Sequence, residues 1–205
     1  MRFKNNFFWP VFFVILAIAW RCLRHFGVLG LPPNFSPITA LALFAGAYLP
    51  NRRLAIGLPL LAMLMSDFII GFYDLKILFA VYLSFALSGF LGLRLRSRLS
   101  LGAVFGSSLA ASLIFYCLTN FAVWLWSGMY GHSFEGLISC YTLALPFFKW
   151  TLLGDLVFVS LFFGLSEIIN RVYSYKQKGI CAVNIYASNS GRKSTRNYRG
   201  IKTQS

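Results

Sequence analysis

Long apolar runs separated by short basic connections constrain this chain more than any other feature. Six can be drawn: Phe7 to Leu23, Pro37 to Leu49, Leu54 to Phe72, Leu75 to Leu93, Leu99 to Trp126 and Phe147 to Ile169. Most are long enough, at ~1.5 Å per helical residue, to cross a hydrocarbon layer of ~30 Å, and none alternates as a barrel strand would. With 58% hydrophobic and 12% charged residues, the chain is too poor in polar side chains for a soluble domain. The expected fold class is all-α, a polytopic membrane bundle of six transmembrane helices over residues 1–173. Beyond it, residues 174–205 are rich in Ser, Asn, Lys, Arg and Gly and read as a basic, disordered tail.

The formal net charge of +14 does not point to nucleic acid, because the basic residues lie between apolar runs and in the tail, outside any folded binding motif. They read as orientation signals. Threading six spans puts Arg2, Lys4, Arg52, Arg53, Arg94, Arg96, Arg98 and the eight basic residues from Arg171 onward on the side of the termini, against Arg21, Arg24, Lys76 and Lys149 opposite. The positive-inside rule then predicts both termini in the cytoplasm, with the tail near anionic lipid headgroups. The basic start and first apolar run resemble a signal peptide, but Arg21-Cys22 follows where a small-residue cleavage site would stand. An uncleaved first helix is expected.

The second run is the anomaly. From Pro37 to Leu49 it reaches only ~20 Å, and it follows the polar turn Pro32-Pro33-Asn34-Phe35-Ser36-Pro37. A helix broken at membrane depth is tolerated only where protein or a water-filled cavity shields its backbone, so the stretch marks a candidate binding site. Ser36 is the expected N-cap and Pro37 the first helical residue, which would turn free N–H groups toward the outer side.

Ionisable residues inside a membrane are costly, so Asp67 and Asp155 need a reason. Counted from the ends of their runs, both lie ~8–12 Å below the outer surface, and Tyr82 and Asn120 fall in the same layer. Ser36 and Thr39 open the second run from that side. The substrate-binding candidates are therefore Asn34, Ser36, Thr39, Asp67, Tyr82, Asn120 and Asp155, lining an outward-facing cavity with apolar and aromatic walls. The helix start favours an anionic group and the aspartates an amine, cation or proton, so a small zwitterionic or amphipathic solute fits both. The competing reading makes these groups internal glue, with an aspartate paired to Lys149 or Arg21 as a structural lock.

Neither a cofactor nor a metal is expected. His25 and His132 are the only histidines, both in predicted outer loops, and Cys22, Cys117, Cys140 and Cys181 lack metal or redox spacing. Cys117 reads as a small apolar packing residue. Cys22 and Cys140 fall near one predicted face, which leaves a disulfide open. Small residues recur every four positions at Ala42 and Gly46, at Ser84, Ser88 and Gly92, and at Gly102, Gly106 and Ala110, where helices can approach closely; the last stripe is also a candidate docking face.

The run Pro33-Asn34-Phe35-Ser36-Pro37-Ile38-Thr39 through Tyr48, then Pro59 through Ser66-Asp67 to Gly71-Phe72, resembles an uncharacterised bacterial integral-membrane family of proposed transport proteins. Thr119-Asn120-Phe121-Ala122-Val123-Trp124 and Ala144-Leu145-Pro146 through Gly154-Asp155 resemble its later blocks. That family is similar in size and helix count to the substrate-binding components of energy-coupling-factor transporters. The resemblance implies solute uptake across a bacterial inner membrane, with a separate membrane and ATPase module as a possible energising partner. Those components dock through small residues on the first helix, where this chain has Phe13, Ala17 and Arg21.

The function expected is therefore a non-enzymatic transport protein whose partners are the bilayer and a small solute. No nucleotide-binding loop occurs, so any ATP must act through another chain. One alternative is a ligand-free assembly subunit. Another is an intramembrane aspartyl protease, since Tyr73-Asp74 and Gly154-Asp155 faintly resemble its paired motifs, although Leu152 stands where the first glycine would be.

Overall fold

A computed structural model describes residues 8–201, with side chains placed over 11–172 and at Ser174 and Tyr175. The described residues form helices only: α1 (Phe8–His25), α2 (Ile38–Tyr48), α3 (Arg52–Ile70), α4 (Leu75–Leu95), α5 (Leu101–Trp126) and α6 (Phe134–Ile201). Of these, α3, α4, α5 and the Phe134–Val172 part of α6 are long and apolar enough to cross a membrane. The chain divides into two units, residues 1–164 and 165–205.

In the first unit the short helix α2 is the centre. Every residue from Ile38 to Ala47 is buried, as an apolar helix without a polar face requires. Helices α1, α3, α4 and α5 pack against it, and Phe44 meets Phe162 of α6 edge-on at 5.6–6.1 Å together with Phe163. Phe13 of α1 completes this layer, stacked on Phe162 at 4.3 Å and edge-on to Phe44 at 5.0 Å. Lipid gives helices no hydrophobic reason to associate, so close packing must hold them. Glycines supply it between α2 and α4, where a Cβ on Gly46 would lie 2.6 Å from the Cα of Gly92. The stripe through Ser84, Ser88 and Gly92 is thus internal packing, whereas a Cβ at Gly102 or Gly106 of α5 would meet open space.

The two ends of α2 are finished differently. At its C-terminus the Arg96 guanidinium donates from Nε to the Gly46 carbonyl at 2.7 Å, from Nη1 to Pro50 at 3.3 Å, and from Nη2 to Leu49. These carbonyls have no partner within the helix, and the cation also complements the negative end of the dipole. At the N-terminus the expected Ser36 cap does not form: Pro37 takes the N-cap position and no side chain bonds the first turn. That moves Ser36 one residue too early to reach the N2 and N3 amides.

Three helices start on side-chain caps: Asn51 for α3, Asp74 for α4 and Ser100 for α5. Two boundaries differ from the sequence expectation. Helix α1 runs on to His25, so Arg24, beyond the expected end at Leu23, is helical like Arg21. Helix α6 begins at Phe134, ahead of the Phe147 expected from the apolar run, with Pro146 inside it.

The second unit holds the remainder of α6, where exposed Arg171 pairs with Glu167 one turn earlier at 3.2 Å. The backbone continues as helix to Ile201, through the segment whose composition suggests disorder. Apart from Ser174 and Tyr175, the tail side chains lie outside the described residues.

Candidate functional site

Beside the N-terminus of α2 lies a cavity of about 310 Å³, near the lower bound of ligand sites at ~300 Å³. It is built at the end of the bundle where α1, α3 and α5 finish and α2, α4 and α6 begin. Five of the seven predicted residues line it: Asn34, Ser36, Thr39, Asn120 and Asp155. Phe85, Phe115, Phe147 and Phe148 supply much of the apolar wall, so the polar groups are few and fixed in place.

The connection between α1 and α2 forms one wall. Asn34 stands in the left-handed region at φ 70°, a conformation asparagine tolerates better than most residues. The indole of Trp20 donates to the Phe35 carbonyl at 3.0 Å, tying the connection to α1. Gly154 of α6 lets it lie close, since a Cβ there would stand 3.2 Å from Phe35 Cα and Ser36 N. That close approach brings Ser36 beside Asp155, the next residue of α6.

Arg21 and Arg24, which the charge tally counts on the outer side without making them site candidates, also line the cavity. A signal for them existed, because Phe13, Ala17, Arg21 and Arg24 recur at four, four and three residues and so share one helix face. Phe13 and Ala17 are 1% and 0% exposed, which turns that face into the bundle and leaves it unable to dock another chain.

Both terminal nitrogens of Arg21 are engaged. Its Nη2 pairs with Asp67 Oδ1 at 2.8 Å, and Nη1 donates to Ser66 Oγ at 2.6 Å. The remaining Asp67 oxygen accepts from the Tyr82 hydroxyl at 2.9 Å. Asp67 and Tyr82 therefore do not line the cavity: they hold Arg21 in place, the structural lock that the sequence left as an alternative. At the rim, burial and then the Asp67 charge push the Tyr73 phenol up to about 12, so it stays a neutral donor at physiological pH.

Arg24 and Ser36 are the opposite case. Arg24 Nε and Ser36 Oγ are buried and have no hydrogen-bond partner. Such groups each cost ~1–3 kcal/mol when left unsatisfied, so the pair is an observation in need of an occupant.

Asp155, 1% exposed, is held by hydroxyls alone. Ser112 Oγ donates to its Oδ2 at 2.6 Å, with the Thr39 hydroxyl as a second donor. No basic side chain pairs with it among the described residues. Thr119, Thr151 and Asn120 return their donors to carbonyls one turn back, at 2.7, 3.2 and 2.8 Å, which leaves acceptor oxygens for an occupant.

Other candidates from the sequence stand apart. Asp74 caps α4 by accepting from the Lys76 and Ile77 amides at 2.8 and 3.2 Å and does not line the cavity. Cys22, Cys117 and Cys140 are free thiols, so the Cys22–Cys140 disulfide is not formed; Cys140 is buried against the Asn120 carbonyl. Cys117 is exposed on the outer face of α5, not packed inside.

Residues 1–178 match a family profile described as a family of unknown function (DUF6580), and the chain belongs to that family. The match brings membership and no activity with it. No curated protein and no solved structure matches the chain.

Proposed function

We propose that this member of the DUF6580 family is a membrane transport protein that binds a small solute with an acidic group, and an amine where the solute is zwitterionic, in the cavity beside α2. The observation that carries the reading is the pair of buried, unpartnered groups, Arg24 Nε and Ser36 Oγ, in a cavity wall. A carboxylate or phosphate oxygen would complete both through charge-assisted hydrogen bonds. Asp155, which accepts from the Ser112 and Thr39 hydroxyls, would take up an amine or a proton.

In this reading the chain sits in a bacterial inner membrane with both termini cytoplasmic, and the cavity opens outward for uptake. It carries out no chemistry of its own and needs no cofactor. Asp155 is the single acidic side chain lining the cavity, which gives a proton-sharing carboxylate pair no second member. Transport is energised by a separate module or by protons at Asp155.

The test starts with the full chain purified from native membrane and mass spectrometry of retained small molecules. Uptake of the labelled solute is then measured for the parent, Arg24→Gln and Asp155→Asn. Losing a hydrogen bond to a charged group costs ~1.5–3 kcal/mol, so Arg24→Gln should weaken binding roughly tenfold or more. If both variants fold and take up the solute as the parent does, the cavity is not the site. A chain that retains no small molecule and co-purifies with fixed protein partners is an assembly subunit.

A further inference from the structure

At the opposite end of the bundle, where α2 ends and α3 begins, a second cavity of about 620 Å³ is lined by Arg52, Arg53, Arg94 and Arg96 above Ile56, Leu87, Phe90 and Ile114. Arg96 is spent on the carbonyls of α2. Arg52, Arg53 and Arg94 are exposed and join no ion pair among the described residues.

The chain holds no countercharge for them. It has five acidic residues: Asp67 is paired with Arg21, Asp74 caps the far end of α4, Glu135 opens α6, Asp155 is in the other cavity, and Glu167 pairs with Arg171. The placement is also unfavourable as it stands. Arg52 and Arg53 occupy the first turn of α3, which contains no acidic residue, so two cations sit at the positive end of a helix dipole. An anion from outside the chain would relieve both the mutual repulsion and the dipole.

We propose that this cavity binds one anionic phospholipid, its phosphate among Arg52, Arg53 and Arg94 and an acyl chain along Ile56, Leu87, Phe90 and Ile114. A free anion would use the arginines and leave the apolar floor unused, whereas a lipid uses both. The same pairing of a basic pocket between helices with a lipid headgroup is a general device of membrane proteins. The inference is independent of any solute in the cavity beside Asp155.

The experiment uses the full chain in a neutral detergent, with native mass spectrometry counting bound phosphatidylglycerol or phosphatidylcholine of the same acyl chains. Phosphatidylglycerol should bind roughly tenfold more tightly, and R52Q/R53Q/R94Q should lose that preference, given the contribution of each basic residue near a charged surface. The control K76Q/K149Q, which removes basic side chains elsewhere, should keep it. These arginines are exposed, so folding is not at stake, and an unchanged melting temperature checks this. Equal binding of the two lipids, or an undiminished preference in the triple variant, overturns the proposal. Displacement of phosphatidylglycerol by inorganic phosphate at equal concentration also overturns it, and identifies a soluble-anion site.

Discussion

Neutralising Asp67 tests the central claim about the cavity wall, that this carboxylate holds Arg21 and is not itself a solute contact. The pair is 2.8 Å apart, with Asp67 1% and Arg21 13% exposed, so neither charge can turn to water when the other is lost. Asp67→Asn keeps the shape of the side chain and leaves the guanidinium with only neutral partners, Ser66 Oγ and the sulfur and carbonyl of Met63. Breaking a buried ion pair in this way costs ~3–5 kcal/mol, because an uncompensated charge stays behind. Arg21→Gln should cost a similar amount, leaving Asp67 with the Tyr82 hydroxyl. The double variant carries no stranded charge, so its cost should fall below the sum of the singles by about 2–3 kcal/mol. Unfolding of the full chain by a titration of denaturing detergent in mixed micelles measures all three. If the two single effects add to within ~0.5 kcal/mol, the residues are not coupled and the lock is refuted.

Three further perturbations probe how the bundle shapes the site. Gly46→Ala places a methyl 2.6 Å from Gly92 Cα, where only backbone can yield, and should destabilise by ~1–3 kcal/mol in the same titration; a variant as stable as the parent would show that α2 and α4 are not held at that distance. Arg96→Gln removes the cap from α2 and exposes its carbonyls, for an expected loss of ~1–3 kcal/mol and faster amide exchange in the last turn of α2; unchanged exchange there would refute the cap. Gly154→Ala meets Phe35 and Ser36 at 3.2 Å, so it should displace the connection by a few tenths of an ångström. Its effect should appear in solute affinity more than in melting temperature, and the reverse pattern would mean that this contact serves the fold alone.

What could be read from the sequence follows from which forces act locally. The six helices and the shortness of the second are matters of apolar run length, and each run lies at a helix of the structure. Five of seven candidate side chains line the cavity because counting residues from a helix end fixes depth. Depth does not fix direction, and that is where the expectation failed. Asp67 and Tyr82 lie at the right level but turn toward Arg21, one of the two basic partners that the sequence offers for a structural lock, and depth alone does not select it. Arg96 shows the same limit. In a tally of loop charges it is one cation among many, and only tertiary structure reveals that it caps a helix fifty residues earlier.

Helix α2 connects these observations. Its 11 residues span ~16 Å of a ~30 Å layer, so ~14 Å of membrane depth is left without a central helix. A bundle that closed over that gap with apolar side chains would have no need of Arg21, Arg24, Asp155 or the hydroxyls around them. Instead, the C-terminal end of α2 is capped by an arginine that takes up the carbonyls of Gly46, Leu49 and Pro50, and the N-terminal end carries no side-chain cap. The asymmetry predicts that replacing Ser36 with alanine, which removes an unpartnered hydroxyl, costs no stability and can even raise it. An occupant that uses this hydroxyl should nevertheless bind more weakly to the variant. Loss of stability in Ser36→Ala without any solute present would mean that the hydroxyl already has a structural partner, and the cavity would lose one of the two groups that call for a ligand.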